Sequence, residues 1–373
     1  MFNLRLMENK KSNQEEITCH QCSAKLVFAP GTDSLKCEFC GALNTIEVDE
    51  TAKAEANKEI DFYDFINNQV DTAPKAEVLT IKCDGCGAET TFDPNVVSDK
   101  CDFCDSPLTS KEGHKTSLIQ PKGMLPFKIK DKEGLEMYQN WLKKLWFAPN
   151  KLKKYARQSE KLSGIYIPYW TFDAKTETDY TGRRGDDYEE TETYTEDGEE
   201  KTRSVTKTRW SSAGGRVSRF FDDLLIPASN SLPLKYVEEL EPWDLNNLVP
   251  YDTKYLSGFK SESYQKSLED SFVAARDKMQ NVIREDIHRD IGGDRQEINS
   301  MDTDYDDITF KHILLPIWLS AYRYNEKVYR FMINGRTGEV QGERPYSWIK
   351  ITLFVLMILT IIAVVYYYTK DNG

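Results

Sequence analysis

The sequence predicts two tandem zinc ribbons, small β units built on four-cysteine sites, followed by an α+β domain and a single C-terminal transmembrane helix. Three observations lead there. Cys19, Cys22, Cys37 and Cys40 recur 64 positions later as Cys83, Cys86, Cys101 and Cys104, with fourteen residues between the pairs in both copies. From residue 119 to 345 aromatics and prolines abound, and helix-period stripes alternate with strand-like runs. Near the end, Ile351 to Tyr368 is eighteen residues without a charge.

The ribbons span 17–46 and 81–110. Two cysteines three positions apart present both sulfurs from one tight turn, and two such turns joined by a hairpin complete a tetrahedral site. Ala24, Phe28, Pro30, Lys36 and Phe39 match Ala88, Phe92, Pro94, Lys100 and Phe103, so the unit is duplicated. A unit under ~30 residues cannot bury enough core to fold alone, so two structural Zn²⁺ ions are expected to supply the stability. Phe28 and Phe92 are expected to pack over the sites, and Lys36 and Lys100 to offset thiolate charge. Redox pairs, disulfides and an iron site compete with this reading, but all eight cysteines are consumed by the two sets and no thioredoxin-like βαβ context surrounds them. His20 is expected to stay exposed and unligated. A closed four-thiolate site leaves no position for substrate water, so no chemistry is expected at either metal.

The chain has 373 residues and a net charge of −12, a balance that argues against a large DNA footprint. Reduced cysteine knuckles point to a cytoplasm. The first residues carry no apolar core of a signal peptide, and Met7 is an alternative start to Met1. The span, 349–368, is long enough for a bilayer core, which needs about 17–25 residues. Tyr366, Tyr367 and Tyr368 suit one interface; Tyr346 and Trp348 suit the other. Arg344 and Lys350 before the span, against Lys370 after it, bias the bulk of the protein to the cytoplasmic side of the cell membrane.

Between the ribbons, 47–80 is expected to be a linker. Ile60, Tyr63 and Asn67 fall on one helical face with Phe62 and Phe65 nearby, and a turn follows at 72–74; a disordered linker fits the polar composition equally. The α+β domain shows a second, fainter duplication. Leu125-Pro126-Phe127, a helical pattern and Pro168-x-Trp170 are echoed by Val249-Pro250-Tyr251, another helical pattern and Pro316-x-Trp318. Leu135, Tyr138, Leu142 and Leu145 mark one helix, closed by Pro149. Tyr264, Leu268, Phe272, Ala275, Met279, Ile283 and Ile287 mark a longer one, capped by Ser261 and stopped at Gly292 and Gly293. A polar hairpin, 187–209, is expected to project, either as a binding arm or as a solvated ribbon. A turn at Asp197-Gly198 sets Glu192 opposite Arg203, Thr193 opposite Thr202, Tyr194 opposite Lys201 and Tyr188 opposite Lys207. A meander over 317–341 ends the domain.

No phosphate loop, dinucleotide fingerprint, nucleophile elbow or zinc-protease motif is present, and His20, His114, His288 and His312 are scattered. Asp302, Asp304, Asp306 and Asp307 are expected to form a solvated acidic turn, because the glycine and distal glutamate of a calcium loop are missing.

The cysteine pairs, the Pro-x-Trp strands, the Leu-Pro-Phe segment and the final apolar span together resemble a bacterial family labelled TFIIB-type zinc-ribbon proteins or primosomal protein N′ (replication factor Y)-like. No helicase motif accompanies them. Some relatives in that family act as membrane anchors for PspA-like or SPFH-type membrane-scaffold proteins. The resemblance therefore implies a non-enzymatic, tail-anchored adaptor that recruits a soluble protein to the bilayer, in a membrane stress response. The alternative is a membrane-tethered nucleic-acid binder using Lys25, Lys36, Lys82, Lys100 and Lys111; the overall charge argues against nucleic acid as the partner.

Overall fold

A computed structural model describes residues 17–69, 75–91, 98–101, 103–104, 106–109, 114–149, 162–196, 198–324 and 327–371. The turn at 72–74, Phe92, Pro94, Lys111, Asp197, Met1 and Met7 lie outside these residues.

The first cysteine unit is a three-stranded antiparallel sheet of β1 (Leu26–Phe28), β2 (Ser34–Cys37) and β3 (Leu43–Thr45). The segment expected to be a spacer is instead built into the body. Helix α1 (Glu50–Asn57) is capped by Asp49, whose carboxylate accepts from Thr51 N at 3.0 Å. Strand β4 (Ile60–Asp61) then pairs with a long strand of the body, Ile60 opposite Phe310. A helical turn at Phe62–Asp64 and a π-helical turn at Phe65–Gln69 follow. Phe62 and Phe65 are buried among Phe172, Phe272 and Phe310, whereas Tyr63 and Asn67, expected on the inner face, point to solvent. The aromatic pair three apart outweighs the polar composition, because each ring buries far more apolar area than its neighbours.

In the second unit, β5 (Lys75–Lys82) pairs with β6 (Glu89–Thr91), and β7 (Ser98–Lys100) pairs with β8 (Pro107–Thr109). β5 also pairs along its length with β9 (His114–Ile119), so this unit is larger than 81–110 and draws in the end of the expected linker.

The body is largely one nine-stranded sheet, so the α+β expectation holds only loosely. It contains β10 (Gly123–Met124), β11 (Ser163–Glu196), β12 (Glu199–Pro227), β13 (Val249–Pro250), β14 (Lys260–Ser261), β15 (Arg295–Tyr324), β16 (Lys327–Asn334) and β17 (Val340–Gly342), together with β4. Among the described residues, two long helices accompany it: α2 (Asp131–Lys144) and α3 (Leu268–Ile291). Ser267, rather than Ser261, caps α3 by accepting from Asp270 N at 3.0 Å, and Ser261 belongs to β14. Residues Ile165 to Ala174 are buried without interruption. One face of the strand, Ile165, Ile167 and Tyr169, shares a core with the second cysteine unit. On the other face, Tyr166 joins the first unit and α2, and Trp170 and Phe172 join α3. Burial on both faces explains a continuous apolar run where alternation would mark a half-exposed strand.

The duplication is real in the backbone, but its second half starts elsewhere than the sequence suggested. β11 and β15 are antiparallel neighbours at the centre, Tyr166 opposite Pro316 and Pro168 opposite Leu314. β10 lies parallel to β15, and β14 lies parallel to β11. Thus β14, not Val249-Pro250-Tyr251, is the counterpart of β10; β13 is the antiparallel partner of β10. The details repeat. Ala228 N donates to Pro168 O at 3.0 Å, and Gly335 N to Pro316 O at 2.8 Å. Gln265 N and Lys266 N donate to Ala228 O, as Lys128 N and Ile129 N do to Gly335 O. The Trp170 indole donates to Lys266 O at 3.2 Å and the Trp318 indole to Ile129 O at 2.9 Å. Each Pro-x-Trp strand therefore pins the carbonyl that precedes the N-cap of the other half's helix, Ser267 in α3 and Lys130 in α2.

β11, β12 and β15 run together as far as the pairing of Gly185 with Arg295; beyond it β11 and β12 continue as a two-stranded arm. Glu192 faces Arg203, Thr193 faces Thr202, Tyr194 faces Lys201 and Tyr188 faces Lys207. Arg203 and Arg209 lie over the rings of Tyr194 and Tyr188 at 5.5 and 5.1 Å. Asp302, Asp304 and Asp306 are not a turn: they are exposed positions of β15, opposite Asp179, Glu177 and Lys175. The meander follows as β15, β16 and β17, and helix α4 (Trp348–Asp371) comes after it.

Candidate metal centres

Three of the knuckles share one local geometry. The first cysteine's N–H donates to the carbonyl five residues on: Cys19 to Ala24, Cys37 to Ala42 and Cys83 to Ala88, at 2.8, 2.8 and 2.9 Å. Its carbonyl accepts from the residue four on, Ser23, Gly41 or Gly87. That residue must adopt a left-handed backbone, with φ of +57°, +77° and +74° respectively, which explains glycine directly after Cys40 and Cys86. Cys101 N repeats the first bond to Ser106 O at 2.8 Å. Backbone N–H groups also aim at sulfur, from Gln21 to Cys19 and from Cys40 to Cys37, each at 3.4 Å.

These turns bring Cys19, Cys22, Cys37 and Cys40 together, and likewise Cys83, Cys86, Cys101 and Cys104, with all four sulfurs of each set within 4.8 Å of one another. The sulfurs of Cys19 and Cys40 lie 3.6 Å apart, Cys22 and Cys37 3.5 Å, Cys83 and Cys104 3.5 Å, and Cys86 and Cys101 3.6 Å. A tetrahedron with metal–sulfur bonds of about 2.3 Å has edges of about 3.8 Å, so both sets fit a four-coordinate ion with small adjustment. The hydrogen bond from Cys40 N is the largest influence holding the Cys37 thiol down at about 6. The hydrogen bond shared with Cys101 holds Cys86 down at about 5 and pushes Cys101 up. The hydrogen bond from Gln21 N likewise lowers Cys19, so each quartet holds at least one thiol below its ordinary value, towards the thiolate form a metal binds. His20 is exposed and outside the set.

The two units dock by different faces. In the first, Leu26 and Phe28 point into the body, where the Phe28 ring meets Tyr255 at 5.1 Å and Phe28 N donates to Ser257 O at 2.9 Å. In the second, Phe103 is fully buried and its carbonyl accepts from Arg330 Nε at 2.7 Å. Phe39, the equivalent of Phe103, is 84% exposed. Lys36 and Lys100 are exposed.

Two polar clusters in the body gave little signal in the sequence. Glu59, Asp173 and Asp223 could also surround a cation, but the buried Lys311 ammonium already bridges Glu59 and Asp223, the latter at 2.7 Å. Burial pushes Asp173 up to about 6 and raises Glu59. Burial works against the charge on Lys311, yet hydrogen bonds to Asp223 and Glu59 hold it raised. Lys311 and His312, between Phe310 and the apolar run Ile313–Trp318, were the available clue. Glu262 is buried beside the second unit; burial pushes it up to about 8, and it accepts from Ser231 Oγ. His312, stacked on Trp170 at 4.5 Å, is pushed down to about 4 by burial. Trp170 and Trp318 are filled core positions, and a depression of about 540 Å³ beside Leu234, Glu238 and Lys278 is open surface.

Taken together, the chain is a twin four-cysteine protein with a β-rich body and, among the described residues, one helix long and apolar enough to cross a membrane. It is similar to YdjG, an uncharacterized protein of Bacillus subtilis, at 27% identity over 233 residues, which are 61% of this chain and 65% of that protein. The match thus spans slightly less than two thirds of the relative's length. No protein-family model matches the chain, and no solved structure matches it.

Proposed function

We propose that the protein is a non-enzymatic, tail-anchored membrane adaptor: two Zn²⁺ ions lock its cysteine units, α4 spans the cell membrane, and the cytoplasmic body recruits a soluble protein. The carrying observation is the combination of two closed four-sulfur sites with an apolar helix, near the end of the chain, whose apolar window the body buries nowhere. Metal at such sites has no open position for substrate, so its work is structural. Zinc is the ion that four thiolates in a tetrahedron select in a reducing compartment. Surfaces for a partner are present in the exposed knuckle of Phe39 with Leu43, and in the charged arm around Tyr188 and Tyr194. The resemblance to anchors of PspA-like and SPFH-type scaffolds supplies the class of partner, and with it a role in membrane stress.

The test places a photo-crosslinking side chain at position 39 or 194 of the full-length protein in cells. Soluble proteins joined to it in the membrane fraction are the expected result, and the same proteins should no longer co-purify with a chain lacking the crosslinker in which residues 189–206 are replaced by a short turn or Phe39 by Asp. Absence of protein crosslinks at both positions, with metal content and membrane location intact, would sink the adaptor reading.

A further inference from the structure

We infer that the loop after α2, centred on Trp146 and Phe147, is a second membrane contact that enters the lipid beside α4 and fixes the tilt of the body against the bilayer. The inference rests on the reading of α4 as a span and adds a site that the span alone does not require.

Depth carries the argument. Phe354 lies three residues inside the uncharged run that begins at Ile351, which at helical rise is about 4–5 Å below its start. The Phe147 ring packs edge-on against Phe354, centroids 5.4 Å apart. A side chain in contact with a lipid-embedded ring shares its depth, so the loop cannot stand clear of the membrane. The contact is braced rather than incidental. Lys350 Nζ donates to Trp146 O at 3.2 Å and to Ala148 O at 2.8 Å, and Ser347 N donates to Phe147 O at 2.8 Å. Leu145 and Ala148 on either side are buried in the body, so the loop is held from above as well.

Chemistry agrees with depth. Trp146 is 74% exposed and Trp348 79%, both unusual for tryptophan in water and usual at a lipid interface. Tyr346, with Arg344 over its ring at 5.6 Å, adds to the same belt. Lys143 and Lys144, exposed at the end of α2, sit where a lysine stem can lie along lipid with its charge among headgroup phosphates. Lys350 uses its ammonium to satisfy loop carbonyls that lipid would otherwise strand.

The experiment reconstitutes the full-length protein into phosphatidylcholine–phosphatidylglycerol vesicles whose acyl chains are brominated near the glycerol, and reads quenching of tryptophan emission. Trp146→Phe is expected to remove roughly half of the quenchable emission, because Trp146 and Trp348 are the two exposed indoles of the belt, and Trp348→Phe the other half. Trp146 is exposed, so its replacement leaves the fold intact, which bound-metal content verifies. If Trp146→Phe keeps the wild-type quenchable fraction while the protein floats with the vesicles, the inference fails and the span stands. If the wild-type chain does not float with vesicles, both fall.

Discussion

Replacing Trp318 by phenylalanine tests the internal two-fold of the body. The indole N–H lost in this change donates to Ile129 O, just ahead of α2, and the ring packs on Phe127 at 4.7 Å. A hydrogen bond of this kind contributes about 1 kcal/mol net, and a carbonyl left without its donor costs about 1–3 kcal/mol. The smaller ring leaves a few tens of Å³, adding about 1 kcal/mol at about 24 cal/mol per Å³. The expected loss is therefore about 2–4 kcal/mol. Trp170→Phe removes the equivalent bond to Lys266 O ahead of α3 from a fully buried site, and should cost a similar amount. Guanidinium unfolding of the full-length protein in mild detergent, followed by far-UV circular dichroism, gives both values. A loss under about 1 kcal/mol for either variant would refute the equivalence of the two bonds, since one would then be decorative.

Glu262, with its carboxyl raised to about 8 by burial, stabilises the fold fully below about 4.5, and this contribution is lost as pH rises through about 8. Glu262→Gln, isosteric and neutral, should match wild type below about pH 4.5, gain on it progressively as pH rises, and exceed it above pH 8 by up to several kcal/mol, measured by denaturation across pH; equal profiles would contradict the buried neutral acid. At the knuckles, Gly87→Ala meets no atom within 4 Å, so its cost is conformational, about 1–2 kcal/mol, while Ser23→Gly should gain a similar amount. Denaturation midpoints moving in the same direction for both would contradict the left-handed requirement. Elemental analysis should find two zinc ions per chain, falling to one in Cys37→Ser or Cys101→Ser. Because Cys101, Cys104 and Phe103 share a core with Ile317 and Leu319, loss of the second ion should also lower the midpoint of the whole body. Unchanged body stability would contradict that shared core.

Local features were determined by the sequence alone. The cysteine spacing, the glycines after Cys40 and Cys86, the apolar stripe of α3 and the uncharged terminal run each act within a few residues, where turn geometry, helical period and hydropathy suffice. The arm's register is of the same kind: a two-residue turn between strands of opposite charge leaves one alignment, and Glu192 stands opposite Arg203 accordingly. Tertiary structure decided what depends on distant partners. Phe39 and Phe103 occupy the same place in duplicated units, yet one is exposed and the other buried, because the body covers Phe103, with Arg330 bonded to its carbonyl, and leaves Phe39 uncovered. Phe62 and Phe65 turned an apparent spacer into core because β15 offered an edge to β4 and an aromatic face above it. The counterpart of β10 proved to be Lys260–Ser261, two residues with no apolar signature, placed by parallel backbone pairing to β11. Pairing between strands far apart in the chain is chosen by the free energy of the assembled sheet, and no short stretch of residues contains that choice.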